Sequence, residues 1–154
     1  MKRIEYDEAF LAQLKRHEGL RLEAYKDTEG VLTIGWGHNC EATPVPGVEQ
    51  EGDVISRGSA ENLLYQDLKR LARELNDKLP WWRGLDEPRQ GVILNMAFNL
   101  GVGGLLGFKL MLSALRIGDY ARAGTEMLDS RWAKEQVRGR AAELARQMVL
   151  GDWE

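Results

Sequence analysis

A row of leucines before Pro80 most restricts how this chain can fold. Their spacing of three or four residues places them on one face of a helix, and a proline excludes helix beyond its position. The row consists of Leu64, Leu68, Leu71, Leu75 and Leu79. Ser56 or Ser59 can cap the start, because a serine hydroxyl accepts hydrogen bonds from the N–H groups of the first turn. The pattern predicts a long helix over about residues 59–79.

A second apolar segment, E-P-R-Q-G-V-I-L-N-M-A-F-N-L, follows Asp86, which can cap its start. It is apolar nearly all round, so it predicts a buried central helix that ends at Gly101. Asn95 and Asn99 interrupt the apolar surface on one side, and buried amides need hydrogen-bond partners. They either face a site or bond to another element such as the Trp132 indole, and we favour the structural role for Asn99.

The rest of the C-terminal half is also predicted to be helical. Shorter helices are expected over about residues 108–117, 119–129 and 138–150. The glycine-rich residues 101–107 lack the ending of a phosphate-binding loop and are interpreted as a flexible connector. Trp81 and Trp82 lie at a proline corner, where they either stack on a ligand's rings or, as we favour, pack against a helix.

The N-terminal part predicts a helix followed by a small antiparallel sheet. Asp7 can cap a helix that ends at Glu18, because glycine is the usual residue after a helix end. Strands are expected over about residues 21–25 and 31–38, with a short third strand. Residues 39–53 hold two prolines and two glycines and are interpreted as a loop.

These elements predict an α+β fold, mainly α, in a single domain of 154 residues. A sheet-bearing lobe is expected over about residues 18–58 and a helical lobe over about residues 80–154. The helix over about residues 59–79 connects them, and the N-terminal helix, residues 7–18, is expected to pack near the helical lobe.

Two carboxyls lie in unlike surroundings. Glu18 closes a helix, where the partial negative charge of unpaired carbonyls opposes ionisation and retains the proton. Asp27 lies in the polar turn K-D-T-E-G, where water and backbone N–H groups keep it ionised. Such a pair predicts glycoside hydrolysis, because one carboxyl protonates the leaving oxygen while the other activates water or stabilises positive charge.

The segment after this turn, V-L-T-I-G-W-G-H, alternates with period two. Leu32, Ile34 and Trp36 are predicted to share one face, while the other carries Thr33 and is otherwise mostly glycine. A nearly bare face lets a flat polymer such as a sugar chain lie close. The Thr33 hydroxyl is expected to hold the attacking water together with Asp27.

The E-G at Glu18, the nine positions from there to Asp27, and the following T-x-G-x-G-H resemble the phage-type lysozymes, or endolysins. The resemblance continues in the family's order through G-D-V-I-S-R-G-S-A-E-N-L-L-Y-Q-D-L, N-M-A-F-N-L-G and S-R-W. It implies a two-lobed lysozyme fold that hydrolyses the β-1,4 bond between N-acetylmuramic acid and N-acetylglucosamine in peptidoglycan. The family's acid, aspartate and threonine fall on Glu18, Asp27 and Thr33, and no cofactor is implied.

Four further residues are predicted to bind the glycan strand. They are Asn39, Phe98, Arg131 and Arg140. Core packing would explain Phe98 equally well. The family also has an arginine that reaches back toward its catalytic glutamate. Because the loop after Trp132 is one residue longer here, Arg138 and Arg140 are both candidates for that role, and we favour Arg140.

The competing types of site are weaker. His17, Glu18, His38, Cys40 and Glu41 match no metal-ligand spacing, so no metal site is predicted. Cys40 is the only cysteine, which excludes an internal disulfide. On the same fold, a lytic transglycosylase or a non-catalytic wall-binding module remains the alternative.

The net charge of -3 does not predict nucleic-acid binding. Basic residues concentrate between Arg131 and Arg146, in a segment that either meets an anionic glycan or is a solvated helix face. The N-terminus has no apolar run, so neither a secretory signal nor stable membrane insertion is expected. The resemblance then implies a monomer in the host bacterial cytoplasm that depends on a pore-forming holin to reach the periplasmic cell wall.

Overall fold

The structure, a computed structural model, describes residues 3–154. The chain forms two compact units. The sheet unit comprises residues 12–70, and the helical unit comprises residues 71–154 with the described N-terminal residues up to Leu11. The predicted fold class, α+β and mainly α, is confirmed.

Helix α1 (Glu8–Glu18) begins and ends where the sequence predicted. The Phe10 N–H donates to the Asp7 carboxylate at 3.1 Å and so caps the start. The chain leaves the helix through Gly19, whose φ of 71° is a left-handed value that glycine adopts without strain. An antiparallel sheet follows, in the order β1 (Arg21–Lys26), β2 (Leu32–Gly35) and β3 (His38–Asn39).

The second strand is shorter than predicted, because the chain turns at Trp36 and Gly37 before it reaches β3. Gly35 and Gly37 both have a φ of 68°, which is far from the extended values of a strand. The alternation of side chains therefore ends with Ile34, which packs in the apolar core of the sheet unit.

The face that was expected to be bare is covered at Gly35. A Cβ atom added there would lie 3.6 Å from the Ala60 Cβ atom, which belongs to helix α2 (Arg57–Lys78). The prediction of an open glycine face is therefore wrong at this position. Trp36 also leaves the predicted face, and its ring centre lies 4.6 Å from the Lys15 Nζ and 5.5 Å from the Arg57 guanidinium.

Helix α2 is the long helix that the leucine spacing predicted. The Ser56 hydroxyl accepts from the Ser59 N–H at 3.1 Å, so Ser56 is the cap of this helix. Leu64, Leu68 and Leu75 are buried on its apolar face.

Helix α3 (Glu87–Leu106) is the most buried helix of the helical unit. The Arg89 N–H donates to the predicted cap, Asp86, at 3.1 Å. Residues 92–97 are completely buried, as expected of a helix that is apolar nearly all round.

Gly101 interrupts α3 at the position where the sequence predicted the end of the helix. Its φ of 77° and ψ of 159° break the helical geometry, but helix resumes and continues to Leu106. Val102 and Leu105 are buried on this last turn, and that burial stabilises it. The prediction of a flexible connector over residues 101–107 is therefore wrong.

The remaining helices lie where they were predicted. They are α4 (Lys109–Arg116), α5 (Tyr120–Leu128) and α6 (Arg138–Leu150). Trp82 is fully buried and its indole donates to the Asn76 side chain at 2.9 Å, which makes its role structural. No described helix is by itself long and apolar enough to cross a membrane, although α3 and α4, bent by 101°, meet that criterion as a pair.

Candidate active site

The three predicted catalytic residues, Glu18, Asp27 and Thr33, all belong to the sheet unit. Glu18 is the last residue of α1 and is half-buried. The Gly19 N–H donates to the Lys15 carbonyl at 2.9 Å, so the helix closes directly after the glutamate. The Glu18 carboxyl therefore lies at a helix C-terminus, which is the position that the sequence predicted.

Asp27 is anchored by the turn that it begins. Its Oδ1 accepts from the N–H groups of Glu29 and Val31, each at 2.9 Å. Its own N–H donates to the Val31 carbonyl at 3.0 Å. Two N–H donors on one oxygen orient the carboxylate, while Oδ2 takes no part in these bonds. The turn thus supplies the backbone donors that were predicted.

Thr33 is joined to Asp27 through Val31. The Thr33 hydroxyl donates to the Val31 carbonyl at 2.8 Å, and the residue is only 5% exposed. Because a hydroxyl has one proton, this bond leaves its oxygen as an acceptor. A water molecule that donates one proton to Thr33 and the other to Asp27 would retain a lone pair for attack on an electrophile.

Tyr25 also belongs to this group, and sequence reasoning missed it. It lies directly opposite Thr33 in the pairing of β1 with β2. Burial raises the pKa of the Tyr25 hydroxyl, the Arg21 charge acts in the opposite direction, and the charges of Glu18 and Asp27 raise it further. Both predicted carboxyls therefore lie within electrostatic reach of one phenol. The available signal was its position two residues before Asp27 in an alternating strand.

Beside this group, β3 begins with a buried ion pair. The His38 Nδ1 lies 2.8 Å from the Asp67 carboxylate, and its Nε2 lies 2.9 Å from the Thr43 carbonyl. Burial acts to lower the pKa of His38, but the hydrogen bond and charge of Asp67, with the Thr43 carbonyl, outweigh it and raise the pKa. The other Asp67 oxygen accepts from Arg70 at 3.0 Å.

Asn39 has a structural contact in the turn after β3. Its side-chain oxygen accepts from the N–H groups of Glu41 and Ala42, each at 2.9 Å. The residue also pairs with Thr33 across β2 and β3, and it is exposed. Substrate binding by Asn39 stays a prediction.

Phe98, Arg131 and Arg140 belong to the helical unit. Phe98 is half-buried, and Arg131 forms an exposed ion pair with Glu135 at 2.6 Å. The Arg140 Nε donates to the fully buried Asn95 at 2.9 Å. Substrate binding by these three residues stays a prediction.

Arg138, the other candidate for pairing with the predicted acid Glu18, makes a local contact. Its Nε donates to the Lys134 carbonyl at 2.8 Å, and the residue is exposed. The predicted partner of Asn99 is confirmed, because the Trp132 indole donates to its side-chain oxygen at 2.7 Å.

The helical unit also contains a cavity of about 480 Å³. Phe108 and Trp132 line it, with their rings edge to face and the ring centres 5.8 Å apart. Lys109, Glu126 and Arg131 add charged groups to the lining. Aromatic walls with a few polar groups are typical of ligand pockets.

Comparison with known proteins agrees with these features. Residues 15–147 match the family described as phage lysozyme. The chain is 36% identical to the pre-baseplate central spike protein Gp5 of Enterobacteria phage T4, over 92% of this chain but only 28% of that protein. It is 33% identical to an endolysin of Acyrthosiphon pisum secondary endosymbiont phage 1, over 87% of this chain and 84% of the endolysin. It is also 34% identical to the probable T4-type lysozyme 1 of Dictyostelium discoideum, over 77% of this chain and 81% of that protein.

The order of the motifs, the mainly helical fold with its small sheet, and these matches agree with one another. The chain belongs to the phage lysozyme family, a family of glycoside hydrolases.

Proposed function

We propose that this chain is a lysozyme that hydrolyses the β-1,4 bond between N-acetylmuramic acid and N-acetylglucosamine in bacterial peptidoglycan. The observation that carries the proposal is the arrangement around Val31. Asp27 is anchored there as an oriented carboxylate, and the Thr33 hydroxyl is left as an acceptor. The names of the relatives, an endolysin and a T4-type lysozyme, support the same chemistry.

In the proposed reaction, Glu18 is the general acid. It donates its proton to the glycosidic oxygen as the bond between that oxygen and C1 of the muramic acid breaks. Positive charge then develops at C1 and the ring oxygen, and the leaving N-acetylglucosamine departs with a neutral hydroxyl.

Asp27 and Thr33 deliver the water. The water donates to the Thr33 oxygen and to the Asp27 carboxylate, and its lone pair attacks C1 from the face opposite Glu18. The new C1–O bond carries one water proton, and Asp27 takes the other. Glu18 then regains a proton from solvent while Asp27 releases one, so the enzyme returns to its starting state. Attack on the opposite face yields the inverted α-anomer.

These roles are tested by the lysis of permeabilised Gram-negative cells, which is measured as the rate of loss of turbidity. Glu18→Gln keeps the shape but has no proton to donate, so the rate should fall by about 10²- to 10⁴-fold. Asp27→Ala should be nearly inactive as well. Glu29→Gln is the matched control, because Glu29 is an exposed carboxyl in the same turn and only its backbone is used. Near-normal lysis by Glu18→Gln would remove Glu18 as the acid.

The setting of the reaction is a further part of the proposal. The relatives include an endolysin, and this setting follows from the same role in lysis. We propose a monomer that accumulates in the host bacterial cytoplasm and reaches the periplasmic wall after a holin permeabilises the membrane. Expressing cells should remain turbid until chloroform is added and then clear. Prompt lysis without chloroform would contradict this setting.

A further inference from the structure

Tyr25 lies on the face of the sheet that carries two of the predicted catalytic residues. It pairs directly with Thr33, and side chains that lie opposite each other in an antiparallel pair point to the same face. Asp27 follows two residues later, and its N–H still donates to the Val31 carbonyl across the pair. Because side chains alternate along a strand, Tyr25, Asp27 and Thr33 share one face.

The Tyr25 ring is held by Arg21. The guanidinium carbon of Arg21 lies 4.2 Å from the centre of the ring. The register of the sheet shifts between the two residues, and such irregularities change the direction of side chains. Tyrosine has only two side-chain torsions, so the stacked cation leaves the hydroxyl little freedom.

The Tyr25 hydroxyl is within electrostatic reach of both carboxyls, but it has no hydrogen-bond partner among residues 3–154. Burial raises the pKa of this hydroxyl, the Arg21 charge lowers it, and the charges of Glu18 and Asp27 raise it further. The net effect is a raised pKa, which keeps the hydroxyl protonated. A neutral phenol can both donate and accept. The residue is half-buried, so a ligand that covers it must supply a partner or leave the hydroxyl unsatisfied.

We propose that Tyr25 is a further substrate-binding residue, whose hydroxyl hydrogen-bonds the sugar that lies between Glu18 and Asp27. The inference rests on the proposed function, in which that sugar has the acid on one side and the held water on the other. Tyr25 shares the face of the sheet with Asp27 and Thr33, which hold the water on one side of such a sugar. The hydroxyl and acetamido groups of an N-acetylated sugar offer both donors and acceptors to it.

Tyr25→Phe tests the inference, because it removes one oxygen and keeps the ring under Arg21. The probe is a soluble oligomer of β-1,4-linked N-acetylglucosamine, titrated calorimetrically into protein that also carries Glu18→Gln. Its affinity should fall about 3- to 10-fold, the effect of one neutral hydrogen bond. The kcat/KM for wall cleavage by the single variant Tyr25→Phe should fall by the same factor.

The matched control is Tyr120→Phe. Tyr120 also lies under an arginine, with the Arg89 guanidinium carbon 3.4 Å from its ring centre, but it belongs to the helical unit. This control should change neither affinity nor kcat/KM. If Tyr25→Phe lowers the melting temperature, Arg21→Gln at an exposed position is the second variant. It frees the ring and should weaken binding in the same direction.

The outcomes separate this inference from the proposed function. Unchanged affinity and kcat/KM in Tyr25→Phe, with a wild-type protein that cleaves the wall, would overturn the inference and leave the proposed function intact. A wild-type protein that binds the oligomer through Tyr25 but cleaves no wall would overturn the proposed function alone.

Discussion

Replacing Asp67 with asparagine should expose a pH-dependent part of the stability of the sheet unit. The His38 and Asp67 side chains are only 3% and 7% exposed and their bonding atoms lie 2.8 Å apart. The Thr43 carbonyl can only accept, so the second ring nitrogen of His38 donates to it. Below the folded pKa of His38 both ring nitrogens donate, and the pair is then an imidazolium next to a carboxylate. Asp67→Asn keeps the shape and removes the negative charge.

The sign of the effect follows from the pKa of His38. Burial lowers this pKa, but Asp67 and the Thr43 carbonyl outweigh burial and raise it above the unfolded value of about 6.5. The pair therefore stabilises the fold fully below about pH 6.5, and the stabilisation is lost as the pH rises through the folded pKa. Removing one partner of a buried pair costs about 3–5 kcal/mol. Asp67→Asn also leaves the Arg70 guanidinium without its carboxylate partner. Because Arg70 is half-exposed and water can solvate its charge, we expect a cost at the lower end of this range.

The difference in free energy of unfolding between wild type and Asp67→Asn is measured by urea unfolding at about pH 5.5 and at about pH 9, with circular dichroism as the signal. The free energy of unfolding of wild type should exceed that of Asp67→Asn by about 3 kcal/mol at the lower pH and by clearly less at the higher pH. Asp129→Asn, which breaks the exposed pair with Lys134, is the control and should change little at either pH. A gap that is constant or grows with pH would refute the reasoning.

Three further changes test the packing. Gly91→Ala would place a Cβ atom 2.6 Å from the Trp153 ring, so thermal unfolding should show a loss of about 1–3 kcal/mol. Leu68→Ala empties a fully buried position on α2, and urea titration should give a loss of about 2–5 kcal/mol. Asn76→Ala leaves the buried Trp82 indole without its acceptor at 2.9 Å and should lower the free energy of unfolding by about 1–3 kcal/mol. An unchanged melting temperature would mean that water replaces the amide.

Local patterns predicted much of the fold and part of the candidate site. The end of α1 at Glu18 and the turn at Asp27 follow from residues within a few positions of each other, such as Gly19 and Gly30. The leucine spacing predicted α2 for the same reason. In each case the deciding interactions are between near neighbours, which a single sequence records.

Features that depend on distant residues were not predicted. The bond between His38 and Asp67 joins residues 29 positions apart, and no spacing rule links them. The covered side of Gly35 depends on Ala60 in another element. The helical stretch after Gly101 is stabilised by the burial of Val102 and Leu105, which depends on other elements of the fold.

The role of Tyr25 was missed for a related reason. Its ring is typical of any strand, and only the pairing with Thr33 and the nearby charges of Glu18 and Asp27 distinguish it. The register that creates this pairing includes an irregularity after Arg21, which alternation alone does not predict.

The most direct test of the central claim is the chemistry of the new chain ends in digested peptidoglycan. Purified wall is treated with wild type and with Glu18→Gln, and the fragments are analysed by mass spectrometry. Hydrolysis through Glu18, Asp27 and Thr33 predicts fragments that end in a free reducing muramic acid, with the α-anomer in excess in fresh product by NMR, and few fragments from the variant. Fragments dominated by anhydro-muramic ends would contradict hydrolysis and assign a transglycosylase reaction instead.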